Sequence, residues 1–202
     1  MAIATRTSLD RILDGGLAAG EPLAFIGPPS VGKLTLAMRA AAGAQAHGGM
    51  IAWIDPTTSF DPLAAERNGV DLERVIVVRA REAVALAAAA ALRSEGFRLV
   101  VVDTGEPGLG GISIDELAPA LPAVRGSPAA LLVVAGARGS RVAIPTYVFE
   151  RVSWERRFDR TTGWTFAVGR AHTSDRALFC LNSRDGALVD LGTRADLREV
   201  AV

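Results

Sequence analysis

The sequence predicts an α/β fold: a mostly parallel sheet flanked by helices, with an antiparallel extension at the C-terminal end. Three observations carry this. Apolar, β-branched runs alternate with alanine- and leucine-rich stretches over the first two thirds of the chain, as repeated strand–helix–strand units require. In Arg98-Leu99-Val100-Val101-Val102-Asp103, Leu99 to Val102 are continuously apolar before the terminal acid, the pattern of a central parallel strand buried on both faces. After Gly136 the helical stretches stop and short alternating runs follow, the pattern of hairpins.

In chain order, Ser8 is placed to cap a short helix that Gly15-Gly16 ends. Pro22 to Ile26 is the first strand. Gly27-Pro28-Pro29-Ser30-Val31-Gly32-Lys33-Leu34-Thr35 follows it and opens into a helix from about Lys33 to Ala46. Met50 to Asp55 is a second strand, and Pro56 to Val70 a loop with a helix. Val75 to Arg79 is a third strand, and Arg81 to Glu95 a helix stopped by Gly96. Beyond the Arg98–Asp103 strand, Gly105 to Gly111 is a glycine-rich loop, and Ile114 to Arg125 a helix interrupted by Pro119 and Pro122. Ala129 to Ala135 is the fifth strand. Tyr147 to Phe158 and Trp164 to Arg170 form a hairpin turning at Asp159 to Gly163; Ala177 to Leu181 and Ala187 to Leu191 form another. At 202 residues the expectation is one domain, its parallel part spanning about 5–135 and its antiparallel part about 136–202.

The chain carries no net charge, so a global cationic field for nucleic acid is excluded and any such contact must be local. A single cysteine, Cys180, excludes an intrachain disulfide. His47 and His172 stand alone, and no metal ligand set is read. No basic, apolar and cleavage regions open the chain, and no uncharged apolar run approaches ~18 residues. The expected location is the cytoplasm, with no membrane contact.

Strand, glycine-rich loop and helix in that order make a phosphate-binding loop. Gly27 and Gly32 let successive amides curl around one hollow, with Pro28, Ser30 and Val31 between them. The following helix points its positive end there. Lys33 supplies the ammonium. Of 22 basic residues it is the one lysine, standing where a compact ammonium serves better than a planar guanidinium. The pattern wants a hydroxyl next, to hold magnesium. Leu34 occupies that place, and Thr35 comes one residue late.

These motifs resemble the ATPase core of the RecA recombinase family. Ser8-Leu9-Asp10 through Gly15-Gly16-Leu17 and Gly20, then Ile26-Gly27-Pro28 and Gly32-Lys33, resemble its entry into the phosphate loop. Ile54-Asp55 with Phe60-Asp61-Pro62, Gly69-Val70-Asp71-Leu72 and Val77-Val78-Arg79 continue the likeness. Asp103 resembles the Walker B acid. The likeness is good over about 5–135 and looser beyond. It implies ATP or ADP as ligand, at Gly27, Pro28, Ser30, Val31, Gly32, Lys33, Leu34, Thr35 and Asp103.

The departures are as informative. By the resemblance, a glutamate that activates water is replaced by Thr57, the magnesium hydroxyl by Leu34 and the γ-phosphate-sensing glutamine by Ala137. Threonine is no carboxylate base at neutral pH. No catalytic residue is therefore expected, the nucleotide site is weak or vestigial, and hydrolysis is very slow at most. Few residues precede Thr5 and little chain follows the sheet, so a monomer rather than a filament is expected. On length and degenerate catalysis the chain is similar to the ImuA-type accessory proteins of error-prone DNA synthesis. That resemblance implies as partners the recombinase RecA and error-prone polymerase components. The alternative is a slow magnesium-dependent ATPase or a nucleotide-gated DNA-binding paralogue.

Between Arg138 and Arg176, eight arginines face four acids, an excess of four positive charges in a neutral chain. Arg138, Arg141, Arg151, Arg156, Arg157 and Arg160 form a candidate DNA or partner patch, weighed evenly against an ordinary solvated face. Tyr147, Phe149, Trp154, Phe158 and Trp164 run through it, and strand alternation assigns most of them to the core.

Overall fold

The computed structural model describes residues 2–105, 111–137, 140–158 and 160–194. Its elements are α1 (Leu9–Ile12), β1 (Pro22–Ile26), α2 (Lys33–Gln45), β2 (Met50–Ile54), α3 (Pro62–Arg67), β3 (Val75–Val78), α4 (Val84–Arg93), β4 (Phe97–Asp103), β5 (Ala130–Ala135), β6 (Thr146–Arg157), β7 (Arg160–Arg170), β8 (Arg176–Asn182) and β9 (Leu188–Arg194). All nine strands join one sheet, in the order β3-β2-β4-β5-β1-β6-β7-β8-β9. From β3 to β6 every pairing is parallel; from β6 to β9 every pairing is antiparallel.

Strand alternation divides the core in two. Phe25, Ile51, Trp53, Leu99, Val101, Leu132 and Val134 face α1 and α2. Ala24, Ala52, Ile54, Val100, Val102, Leu131 and Val133 face α4 and the segment after β4. Because both faces are covered, β4 and β5 are apolar at nearly every position, which is why they read as continuous runs. Alanines at 88, 89 and 91 bring α4 close onto its face.

Several local expectations change. Ser8 does not cap α1 with its side chain; its amide and hydroxyl both donate to the Asp190 carboxylate of β9, at 2.5 and 2.6 Å. The helix expected over 114–125 is a 3-10 helix, Ile114–Ala123. Pro119 and Pro122 lack the amides an α-helical ladder needs, so the segment winds tighter. α4 ends before Gly96, because Ser94 is already extended (ψ 131°). The β6–β7 turn is shorter than Asp159–Gly163: β7 starts at Arg160, and Arg157 pairs with it directly. Left-handed backbone at Phe158 (φ 58°) makes so tight a reversal possible. β6 also pairs in parallel with β1, so it belongs to both halves of the sheet.

Candidate phosphate-binding site

The site lies beyond the C-terminal ends of the parallel strands, where β1 turns into α2. Ser30 (φ 55°) and Gly32 (φ 85°) both take the left-handed conformation that curls the loop. Packing restricts the two glycines as well. A Cβ at Gly27 would lie 2.6 Å from the Phe149 carbonyl oxygen, and one at Gly32 2.4 Å from the Phe166 ring. Phe166 in turn stacks between Phe149 and Phe179, so an aromatic column from β6, β7 and β8 underlies the loop.

Lys33 is buried, and its Nζ donates to the carbonyls of Gly27 (2.6 Å) and Pro28 (2.8 Å). Those bonds hold the ammonium across the mouth of its own loop. A second cation braces the loop from outside. Arg151 of β6 donates from one Nη to the carbonyls of Pro29 (3.2 Å) and Ser30 (3.1 Å), and its guanidinium lies 4.1 Å from the centre of the Trp154 ring.

Opposite the loop, two acids meet through Ser59. Its hydroxyl lies 2.5 Å from Asp103 Oδ2 and 3.2 Å from Asp55 Oδ1. Burial pushes the Asp103 carboxyl up, and the nearby Asp55 charge adds to this. Hydrogen bonds from Ser59 and the Gly105 amide, and the Lys33 charge, only partly offset the rise. For Asp55 burial also pushes upward, but the Phe60 and Ser59 amides and the Ser59 hydroxyl donate to its carboxylate and bring it below the ordinary value.

Between loop and acids lies a cavity of about 550 Å³. Of the residues expected to bind nucleotide, Ser30, Val31, Gly32, Lys33, Leu34, Thr35 and Asp103 line it together; Gly27 and Pro28 instead hold the lysine. Leu34 reaches the core on the α2 side and offers no metal ligand. Thr57 also lines the cavity, its side chain crowded against Gly105 and its hydroxyl buried without a hydrogen-bond partner. Val134 and Ala135 form the wall at the end of β5, and Trp164 and Leu181 close the far side.

Ser59, Trp164 and Arg151 escape the sequence reading of this site. Ser59 carried a local signal, its four-residue spacing from Asp55 in a turn. Trp164 and Arg151 carried none, because the sheet order alone brings β6 and β7 beside the loop. Five of the six arginines of the candidate patch fall among the described residues. Arg138 lies outside the described residues. Arg141 sits in a loop fastened to Asp115, whose carboxylate accepts from the Ser140 hydroxyl (2.7 Å) and the amides of Arg141 (2.8 Å) and Val142 (3.2 Å). Arg151 is committed to the phosphate loop. Arg156, Arg157 and Arg160 are exposed at the end of the β6–β7 hairpin. Tyr147 and Phe149 are buried as alternation requires, whereas Trp154 is 50% and Phe158 93% exposed.

A glycine loop between strand and helix, facing an acid at the end of a central parallel strand, defines the class of phosphate-loop α/β proteins. The RecA N-terminal domain model matches residues 3–107, just over half of the chain, and the chain belongs to the RecA family. It is 46% identical over 71 residues to Protein RecA of Bartonella bacilliformis, covering 35% of this chain and 20% of that protein. Protein RecA of Trichodesmium erythraeum is 43% identical over 70 residues, 35% of this chain and 19% of that one. Protein RecA of Cutibacterium acnes is 39% identical over 93 residues, 45% of this chain and 26% of that one. The matched stretch thus spans about a fifth to a quarter of the length of these relatives. No helix among the described residues is long and apolar enough to cross a membrane.

Proposed function

We propose that this chain is a catalytically degenerate, non-filamenting RecA-family protein that acts by binding in the response to DNA damage. It regulates a recombinase or bridges it to an error-prone polymerase. The observation that carries this reading is the cavity wall facing the phosphate loop. It holds an unpartnered threonine hydroxyl at Thr57 and the apolar side chains of Val134 and Ala135, and Leu34 follows the lysine. None of these is a carboxylate base, and Leu34, Val134 and Ala135 offer neither a metal ligand nor a phosphate sensor. The intact loop geometry and the held ammonium of Lys33 support weak binding of ATP or ADP. Lys33 and the loop amides would hold the phosphates, with magnesium left to Asp103 and Thr35. The sheet also ends in β3, a short edge strand with Ile76 47% exposed. Such an edge offers a partner's extended segment a strand to pair with.

A second reading, a slow magnesium-dependent ATPase, is favoured by Thr35 and Asp103 lining the same cavity. Steady-state hydrolysis by wild type and Lys33→Ala, with and without magnesium, separates the two. Degeneracy predicts equal, background rates. Magnesium-dependent turnover that is lost in the variant would establish the enzyme instead. Capture by purified recombinase and by polymerase components tests the binding role; blanks with all of them would end it.

A further inference from the structure

We propose that the phosphate-loop cavity selects a nucleoside diphosphate over the corresponding triphosphate. The inference rests on the reading that this site takes a nucleotide, and names which one. The sheet order lays the cavity out. Trp164 stands on β7, two strands to one side of β1 and its loop; Ala135 ends β5 and Asp103 ends β4, on the other side. Four strand spacings, about 19 Å, separate β7 from β4. Trp164 and Leu181 form the apolar wall that suits a base. The loop amides and the leading end of α2, a 13-residue helix, draw phosphate. A nucleotide laid from the wall to the loop points its phosphate chain toward β5 and β4. Two phosphates then lie over the loop, and a third is carried past it.

Past the loop, the described residues turn the wrong chemistry toward a third phosphate. Val134 and Ala135 present apolar side chains. Asp103 presents a carboxylate whose oxygens already accept, Oδ2 from the Ser59 hydroxyl (2.5 Å) and Oδ1 from the Gly105 amide (3.1 Å). Asp55 shares Ser59 with it, at 3.2 Å, and places a second negative charge behind the first. The Thr57 hydroxyl on this side is buried. Leu34 gives no ligand to a cation that would screen the acids. To follow a third phosphate, Lys33 would give up its bonds to the Gly27 and Pro28 carbonyls. Phosphoryl oxygens need donors, and here they would meet acceptors and apolar carbon. A diphosphate ends before reaching them.

The experiment is isothermal titration calorimetry of the full chain with ADP and with ATP, each with and without magnesium. Wild type should bind ADP about tenfold more tightly than ATP in the absence of magnesium. Magnesium should leave that order in place, since Leu34 holds no cation. Asp103→Asn, shown by thermal melts to be folded, removes the charge that a third phosphate meets. It should raise the affinity for ATP more than that for ADP and so narrow the ratio. ATP binding as tightly as ADP to wild type, with or without magnesium, would overturn the proposal. So would a ratio that Asp103→Asn leaves unchanged or widens. The two readings fail separately. If neither nucleotide binds wild type, the nucleotide reading falls and this inference with it; if both bind equally, only the selection falls.

Discussion

Asp55 and Asp103 share one serine and titrate in opposite directions, and the difference lies in their donors. Asp55 gathers backbone amides from the turn that follows it, so its charge is solvated by the fold. Asp103 is buried at the end of β4 with fewer donors and sits near a like charge. Its folded-state pKa lies above the unfolded value, so ionisation costs stability. That cost is absent below the ordinary carboxylate range and fully present once pH exceeds the raised value. Asp103→Asn should therefore stabilise the protein at neutral pH, and the gain should vanish in acid. Melting temperatures of both proteins across pH check this; a destabilised variant at pH 7 would mean that attraction to Lys33 outweighs burial. A site acid retained against stability is the usual sign of a binding role. At this scale the loop glycines, Lys33 and Asp103 were legible, because each has a short-range pattern. The tie of Arg151 to the loop carbonyls was not, since residues 151 and 29 meet only through the sheet.

Among the elements, α2 shows how a long-range contact overrides local propensity. Gly43 lies inside this 13-residue helix, where alanine is ordinarily better by roughly 1 kcal/mol. Here a Cβ at Gly43 would lie 1.8 Å from the Ala4 carbonyl oxygen. The N-terminal segment crosses the helix at this notch, its neighbour Ile3 bridged to Leu17 and 1% exposed. Gly43→Ala should thus cost about 1–3 kcal/mol, the range for overpacking, instead of stabilising. Urea denaturation measures it, and a gain would show that the segment lifts away at no cost. The strands of the parallel part were readable from continuous apolar runs, since burial on both faces leaves no polar positions. The β6–β7 hairpin was misread at its turn: Thr161-Thr162-Gly163 look like turn residues, but Arg156 pairs with Thr161 and Glu155 with Gly163. The prolines foretold an interrupted helix, though not that the whole segment would wind as 3-10.

For the whole molecule, alternation of strands and helices predicted the parallel half, but the sheet order across which β6 joins β1 was not written in any local pattern. That order has an energetic consequence. Arg151 meets the carbonyls of Pro29 and Ser30 on one side and the ring of Trp154, three residues on in β6, on the other. That one side chain joins the phosphate loop to the β6–β7 hairpin. Arg151→Ala should therefore lower the melting temperature, and a variant that melts as wild type does would show that the loop holds its shape without this tie. One guanidinium thus ties together two points of the chain 121 residues apart.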